Sequence, residues 1–331
     1  MTSPRLAPAA ALYALLGSVF AAAAALVPSP AAALDYPTRP VRLIVPIAAG
    51  GGADITSRLI AQFLSERFGQ QFIVENRPGG GTNIGTEVVA HAIPDGYTLL
   101  AINITHSINP TLYEKLNYNF ARDLVPVAGI VSVSNVIEVH PSLPARTVPE
   151  FIAYATSHPG AINMGSAGNA SSSHMAGELF NMLTDAQLIH VPYRGQGPAM
   201  TDLLGGQLQV IFATTPGTTE YVRTGRLRAL GVTTAARTEA LPEVPPIGDF
   251  VPGYEMSQWY GVAAPRATPP EIVAVLNREI NAALADPVMR ARLTDVGGTV
   301  LPGSAEEFGG FVAREAEKWA KVVKFAGLKG E

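Results

Sequence analysis

The chain has 331 residues, a formal net charge of −4 and no cysteine. This length suffices for about two domains of ordinary size, each with its own core. The acidic balance and scattered Lys and Arg residues argue against nucleic acid as a partner, and the lack of cysteine excludes disulfides, thiol nucleophiles and Cys-ligated metals.

The first 33 residues differ in composition from the rest. Arg5 precedes an uncharged apolar run, residues 9–27, and the small residues Ala31 to Ala33 follow two prolines. This is typical of a secretory signal peptide; an N-terminal membrane anchor is the alternative, because the apolar run is long for a leader. The prolines and the alanine triplet favour the leader. We therefore predict cleavage near Ala33, before Leu34, and a soluble mature chain in the periplasm.

From Val41 onward, short apolar strands alternate with amphipathic helices. The segments VRLIVPI and QFIVENR flank a predicted helix over Asp54 to Phe68, and a strand over Tyr97 to Asn103 follows a second helical segment. This alternation predicts a mostly parallel sheet covered by helices.

Near Leu124 the pattern changes to a long β-branched run, which leads into a second series of strands and helices. A proline-rich connector, a last strand and two helical segments complete the chain. We predict two α/β lobes, the second inserted into the first: residues 34–132 with 234–331, and residues 133–233. Ligands of such folds bind between the lobes, at the carboxyl ends of the strands.

The loop AAGGGAD (Ala48 to Asp54) joins the first strand to the first helix. Its consecutive glycines do not fit the G-x-G-x-x-G dinucleotide pattern, and no Walker-type Gly-Lys-Ser or Gly-Lys-Thr follows. Asp54 is predicted to cap the helix, and its charge would oppose a phosphate dianion. The loop suits a small carboxylate; the alternative is a tight turn that needs glycines for backbone reasons alone.

A second strand-to-helix loop lies between Met164 and Phe180 and is rich in serine. Ser166, Asn169, Ser171 and Ser172 offer polar groups beside free backbone N–H groups. A serine hydrolase would need a nucleophile elbow of the form G-x-S-x-G, which the chain lacks. His174 is interpreted as a packed or capping residue, and the dispersed histidines predict no metal site.

Polar residues follow other strands as well. Thr105 and His106 lie in one such loop and Thr214 in another, and Tyr193 and Arg194 follow a further strand. Trp259 is as well explained by core packing as by a wall of the crevice. No pair of titratable residues stands out as an acid–base couple.

Many ordered blocks of the chain resemble the Bug (Bordetella uptake gene) family, the extracytoplasmic solute-binding receptors of tripartite tricarboxylate transporters. These blocks include AGGGADITSRLIAQFLSERFGQ, VENRPGGGTNIGTEVVAHAIPDGYTLL, GSAGNASSSHMAGELF, HVPYRGQGPAMTDLLGGQ and WYGVAAPRATPPEIV. The resemblance implies a type II periplasmic-binding-protein fold with two crossing strands. It also implies that backbone N–H groups and small polar side chains bind a ligand carboxylate. Ala53 departs from the family in lacking a hydroxyl, which leaves backbone contact at that position.

We therefore predict a receptor, not an enzyme, that captures a small carboxylate for a membrane transporter. The ligand classes left open are dicarboxylates, tricarboxylates, amino acids and aromatic acids, and the receptor is expected to be a monomer without cofactor, metal or nucleic acid. Alternatives are a ligand sensor for a membrane signalling partner and, less favoured, a nucleotide-dependent enzyme or a serine hydrolase. The predicted ligand-binding residues are Ala48, Ala49, Gly50, Gly51, Gly52, Ala53, Asp54, Thr105, His106, Ser166, Ala167, Asn169, Ser171, Ser172, Tyr193 and Thr214.

Overall fold

The computed structural model describes residues 35–215, 219–295 and 297–330. The predicted signal peptide and its cleavage site therefore lie outside the described residues. From Pro37 onward the chain forms one compact unit. None of the helices in the described ranges is both long and apolar enough to cross a membrane.

Ten strands and eleven α-helices make up the described chain. The strands are β1 (Val41–Val45), β2 (Phe72–Asn76), β3 (Thr98–Asn103), β4 (Leu124–Val139), β5 (Asn163–Ser166), β6 (Ile189–Pro192), β7 (Val210–Thr214), β8 (Arg228–Val232), β9 (Ser257–Pro265) and β10 (Gly298–Val300). The helices are α1 (Gly52–Phe68), α2 (Asn83–Ala90), α3 (Thr105–Leu112), α4 (Phe120–Asp123), α5 (Val148–Ser157), α6 (Ser172–Thr184), α7 (Gln196–Leu204), α8 (Thr219–Arg223), α9 (Pro270–Ala285), α10 (Pro287–Asp295) and α11 (Ala305–Phe325).

The strands form two mixed groups that share β4, and in each group parallel strands are joined to antiparallel ones. In the first group β1 pairs in parallel with β2 and β3, and β3 pairs antiparallel with β9. In the second group β5 pairs in parallel with β6 and β7. The predicted alternation of strands and helices is confirmed, because helices connect the parallel strands in both groups.

Strand β4 passes from one group to the other without interruption. Its first part, up to Ser134, pairs with β9, and its second part, from Asn135, pairs with β7. The chain returns through residues 233–256, where Met256 N–H donates to the Thr233 carbonyl at 2.8 Å. The long β-branched run is therefore a crossing strand. The exact lobe boundaries remain a prediction.

The C-terminal helices differ from the prediction at one point. The segment expected to be one helix is divided into α9 and α10 at Pro287, and Asp286 between them is extended, with φ −69° and ψ 127°. A residue before proline is disfavoured in the helical region, and the Asp286 side chain instead accepts from Met289 N–H at 2.9 Å. Helix α11 begins with a capping box formed by Ser304 and Glu307.

The core contains two fully buried tryptophans, Trp259 on β9 and Trp319 on α11. Both indole N–H groups donate to the Glu315 carboxylate, at 3.3 and 2.9 Å. Trp259 also packs edge-on against Phe308 and Phe311. It therefore belongs to the core and does not line the crevice.

Candidate ligand site

A cavity of about 270 Å³ lies where residues of both strand groups meet. From the first group it is lined by Gly81, Thr105, Asn109, Leu112 and Tyr113, and by the C-terminal residues Leu328, Lys329 and Gly330. From the second group it is lined by Asn169, Ala170, His174 and His190. The cavity thus lies in the region where the fold predicts a ligand, between the α3 and α6 N-termini.

Two of the predicted site residues, Thr105 and Asn169, line this cavity. The other predicted residues do not line it, and their roles as ligand contacts remain predictions. They divide into three sets, which differ in what their polar groups already bind: residues 48–54, residues 166–172, and the single residues His106, Tyr193 and Thr214.

The first loop, residues 47–54, is built around the carboxylate of Asp54. The sequence predicted Asp54 as the N-cap of α1, and this is wrong. Gly51 takes the N-cap position in extended conformation, and Asp54 lies in the first turn of the helix. Its side chain is only 3% exposed. It accepts from Gly50 N–H at 2.9 Å, from Asn76 at 2.9 Å and from Arg58 at 2.9 and 3.0 Å.

These bonds determine the charge state of Asp54. Burial by itself raises the pKa of the carboxyl, but the hydrogen bonds from Arg58, Gly50 and Asn76 outweigh it and hold the pKa below its usual range. The carboxylate is therefore ionised and largely compensated. Its charge opposes an anion at this loop less than its sequence position suggested.

Two of the three glycines of this loop, Gly50 and Gly52, are required for different reasons. Gly50 has a φ of 86°, which disfavours other residues. Gly52 has no such φ, but a side chain there would collide with the hydroxyl of Tyr260. In the described chain, no protein group accepts from the N–H groups of Gly52 and Ala53, as expected for the start of a helix. Gly52 is exposed and Ala53 is buried, so the loop has one free donor at its surface, which favours backbone contact with an anion.

The second loop, residues 166–174, is held mainly by hydroxyls and an imidazole, and His174 Nε2 also lies 3.5 Å from the Glu178 carboxylate. Ser171 caps α6 by accepting from His174 N–H, and the Ser173 hydroxyl accepts from Ala167 N–H at 2.8 Å. His174 Nδ1 accepts from Ala170 N–H at 3.0 Å, as expected for a packed residue with a structural role.

The ring of His174 stacks on the ring of His190, with the centroids 3.5 Å apart and the planes 9° from parallel. His190 Nε2 lies 2.6 Å from the Ser166 hydroxyl. Burial, reinforced by the neighbouring His174, lowers the pKa of His190 to about 4. At neutral pH this imidazole is uncharged.

The close Ser166–His190 pair does not form a nucleophile and base for hydrolysis. Ser166 is fully buried, so a substrate carbonyl cannot reach its hydroxyl. In the described chain no carboxylate bonds the second nitrogen of His190, the arrangement that orients the base in a triad. Across the same residues there is no group of three or more His, Asp or Glu side chains that could hold a metal ion.

His106 is buried as well, at 1% exposure. Its Nδ1 accepts from Asn103 N–H at 3.1 Å, and its Nε2 lies 3.0 Å from the Thr86 hydroxyl, which already donates to the Thr82 carbonyl. This pattern fits a neutral ring with its proton on Nε2. Burial lowers the pKa of His106 to about 4. His106 supports the start of α3 from inside, a position that does not favour direct ligand contact.

Two other predicted residues direct their hydroxyls toward their own strand group. Tyr193 donates to Asp202 at 2.6 Å, and Thr214 donates to the Gln196 side chain at 2.8 Å. Arg194 is exposed and lines no part of the cavity. These side chains shape the second strand group, and any contact with ligand would require movement.

The cavity also contains residues that sequence reasoning did not select. Gly81 belongs to a second glycine triplet, Gly79 to Gly81. All three glycines and the following Thr82 have positive φ. Asn109 fixes this turn by donating to the Gly81 carbonyl at 2.7 Å and to Asn83 at 2.8 Å. The triplet itself was a usable signal. The positions of His190 and of the C-terminal residues had no signal in the sequence pattern.

Three comparisons with known proteins agree with this geometry. The family model described as "Tripartite tricarboxylate transporter family receptor" (TctC) matches residues 56–328. The chain is 35% identical over 321 residues to Protein BugT from Bordetella pertussis, covering 96% of this chain and 98% of that protein. The chain belongs to the tripartite tricarboxylate transporter receptor family.

Solved structures with the same fold include R. palustris Rpa4515 with adipate, which is 37% identical and has a TM-score of 0.76. The match covers 89% of this chain and 99% of that chain. MatC from Rhodopseudomonas palustris with bound malate is 32% identical and has a TM-score of 0.72. The match covers 87% of this chain and 100% of that chain. The resemblance to the Bug family and the two-lobed periplasmic-binding-protein fold are thereby confirmed. The family is one of substrate-binding receptors, not of enzymes.

Proposed function

We propose that this protein is a periplasmic receptor that captures a small dicarboxylate in the cavity between its two strand groups and delivers it to a tripartite transporter. The cavity carries this proposal: its volume of about 270 Å³ is below the range of pockets for drug-sized ligands, and its lining combines neutral polar groups with apolar ones. Adipate and malate, bound by the two R. palustris relatives, are ligands of this size and class.

The polar lining supports a carboxylate more than a phosphate or a nucleotide. Thr105 on one side and Asn169 on the other supply small polar side chains; α3 begins at Thr105, and α6 begins at Ser172, shortly after Asn169. Donors from both strand groups that contact one ligand favour the closed form, because the ligand binds that form better than the open one.

Isothermal titration calorimetry of the purified protein tests the proposal. The panel is succinate, malate, adipate, citrate, aspartate and benzoate, with ATP as the comparison ligand. We expect at least one dicarboxylate to bind with saturation and ATP not to bind. Binding of ATP with none of the acids bound would contradict the proposed ligand class.

Export and the absence of catalysis are parts of the same proposal. N-terminal sequencing of the protein from the periplasm is expected to begin at Leu34, and a start at Met1 would contradict cleavage.

Incubation of the protein with the bound acid or with ester substrates should leave the acid and the esters unchanged, because the buried Ser166 cannot reach a substrate. Size-exclusion chromatography with light scattering is expected to give a monomer.

A further inference from the structure

The C-terminal residues Leu328–Gly330 line the same cavity, and Lys329 is the one Lys, Arg, Asp or Glu residue among its described lining residues. We infer that this segment is a wall of the ligand site and that Lys329 gives the site its preference for ligands with a second anionic group. The inference rests on the proposed function and specifies which residue selects the ligand's charge.

The segment is fixed in place by its backbone. After α11, Gly327 adopts a φ of 62°, its N–H donates to Lys324 at 3.3 Å, and Leu328 N–H donates to Val323 at 3.0 Å. This is the Schellman arrangement that reverses the chain at a helix end. The chain then turns toward α3, where Gly330 N–H donates to the Leu112 carbonyl at 2.7 Å.

Gly330 also packs against the ring of Tyr113, because an added Cβ there would come within 2.5 Å of a ring carbon. Leu112 and Tyr113 themselves line the cavity. Lys329 therefore lies between two anchored neighbours, and its backbone position at the cavity is set by bonds on both sides.

The charge of Lys329 is available to a ligand. Its ammonium lies 3.4 Å from the Glu114 carboxylate, and both side chains are 79% exposed. Exposed pairs of this kind contribute little, so the ammonium can leave Glu114 for a ligand carboxylate at small cost. The other described lining residues are apolar or uncharged polar residues, apart from the two stacked histidines, His174 and His190.

These observations predict how the two ends of a ligand are bound. One carboxylate takes neutral donors, the N–H groups and hydroxyls at the helix N-termini. The other end lies toward Lys329. A monocarboxylate of the same length would use the first set of donors and leave Lys329 with Glu114.

The experiment compares matched acids by calorimetry at low ionic strength: succinate with butyrate, and adipate with hexanoate. The variants are Lys329→Gln, Glu114→Gln and, as a matched control, Lys115→Gln, which removes the same charge from an exposed residue that does not line the cavity. We expect K329Q to weaken binding of the dicarboxylate about two- to fivefold, the range of an exposed ion pair, with the monocarboxylate changed less.

The Glu114→Gln variant is expected to change affinity in the opposite direction. It frees Lys329 from its present partner, so the dicarboxylate should bind more tightly, and K115Q should bind like wild type. Equal losses for both acids in K329Q, equal effects of K329Q and K115Q, or no gain in E114Q would each overturn the role of Lys329. If the wild type binds none of the acids in the wider panel, the proposed function itself fails.

A second measurement tests the wall separately from the charge. A chain ending at Ala326 lacks Leu328–Gly330 and should bind both acids of a pair more weakly, because the cavity is open on that side. Thermal unfolding of this variant verifies that it is folded. Unchanged affinity in a folded truncated protein would show that the segment is no part of the site.

Discussion

The first loop, residues 47–54, and the second loop, residues 166–174, occupy equivalent positions, since each follows a parallel strand and opens a helix. They are stabilised differently. The first depends on one buried carboxylate, Asp54, which binds Arg58, Asn76 and Gly50. The second depends on serine hydroxyls and two stacked imidazoles, His174 and His190.

The difference shows that two strand-to-helix loops in equivalent positions can be held by a carboxylate–arginine network or mainly by hydroxyls and imidazoles. An ionised carboxylate tied to an arginine keeps its charge down to low pH. A buried neutral imidazole makes the folded protein less stable in mild acid, because its protonation would bring an uncompensated charge into the interior. The two loops should therefore respond to different perturbations.

Mild acid should give the largest effect and separate the two loops. His106 and His190 have pKa values lowered from 6.5 to about 4, so the unfolded chain binds more protons between these pH values, and stability should fall as the pH drops from 6.5 to 4. For the fully buried His106, which supports α3 and belongs to neither loop, the loss is about 3 kcal/mol. Only the contribution of His190, which packs against the second loop, distinguishes the two loops.

Urea unfolding at pH 7.0, 5.5 and 4.5 measures this loss, and His190→Gln should flatten part of the pH dependence. Hydrogen exchange should show the second loop opening before the first, since Asp54 stays ionised throughout this range. A pH-independent urea midpoint would contradict the assignment of neutral buried histidines.

Removal of the ionic network is expected to have the next largest effect. Asp54→Ala should destabilise the protein by about 2 kcal/mol, the scale of buried hydrogen bonds to a charged group, and weaken carboxylate binding because Gly50 and Arg58 lose their partner. Glu66→Ala on the same helix is the control, since Glu66 is exposed and accepts from Gln62. Equal urea midpoints for the two variants would show that Asp54 does not support the loop.

Steric crowding at the first loop should give a smaller change. Gly52→Ala places a methyl group against the Tyr260 hydroxyl and should cost about 1 to 2 kcal/mol, the scale of overpacking. Tyr260→Phe in the same chain should recover part of this loss, as a double-mutant cycle would reveal. If the two changes are additive, the contact does not explain the glycine.

The smallest effect is expected at the cap of the second loop. Ser171→Ala removes the acceptor for His174 N–H and should cost about 1 kcal/mol. Ser172→Ala, one residue further along, removes a hydroxyl that caps nothing and serves as the control. Because Gly51 caps α1 without a side chain, the first loop has no equivalent of this substitution.

The sequence by itself determined the local units of this protein. The alternation of apolar strands and amphipathic helices predicted two α/β series. The absence of nucleotide-binding and hydrolase motifs indicated that backbone donors, and not catalytic side chains, contact the ligand. The break at Pro287 and the cap at Ser304 are also local; one continuous helix was predicted across Pro287, although the proline itself is a local signal for the break. Local signals suffice here because hydrogen bonding within a turn involves neighbours in the chain.

Only the tertiary structure decided which polar groups bond one another and which face the cavity. Asp54 on α1 bonds Asn76 on β2, Ser166 bonds His190, and Gly330 reaches Leu112, so the partners of these groups come from distant parts of the chain. A pattern of residue types does not specify such partners, because they depend on how strands and helices pack. The same packing directed the hydroxyls of Tyr193 and Thr214 to their own strand group and brought Lys329 to the cavity.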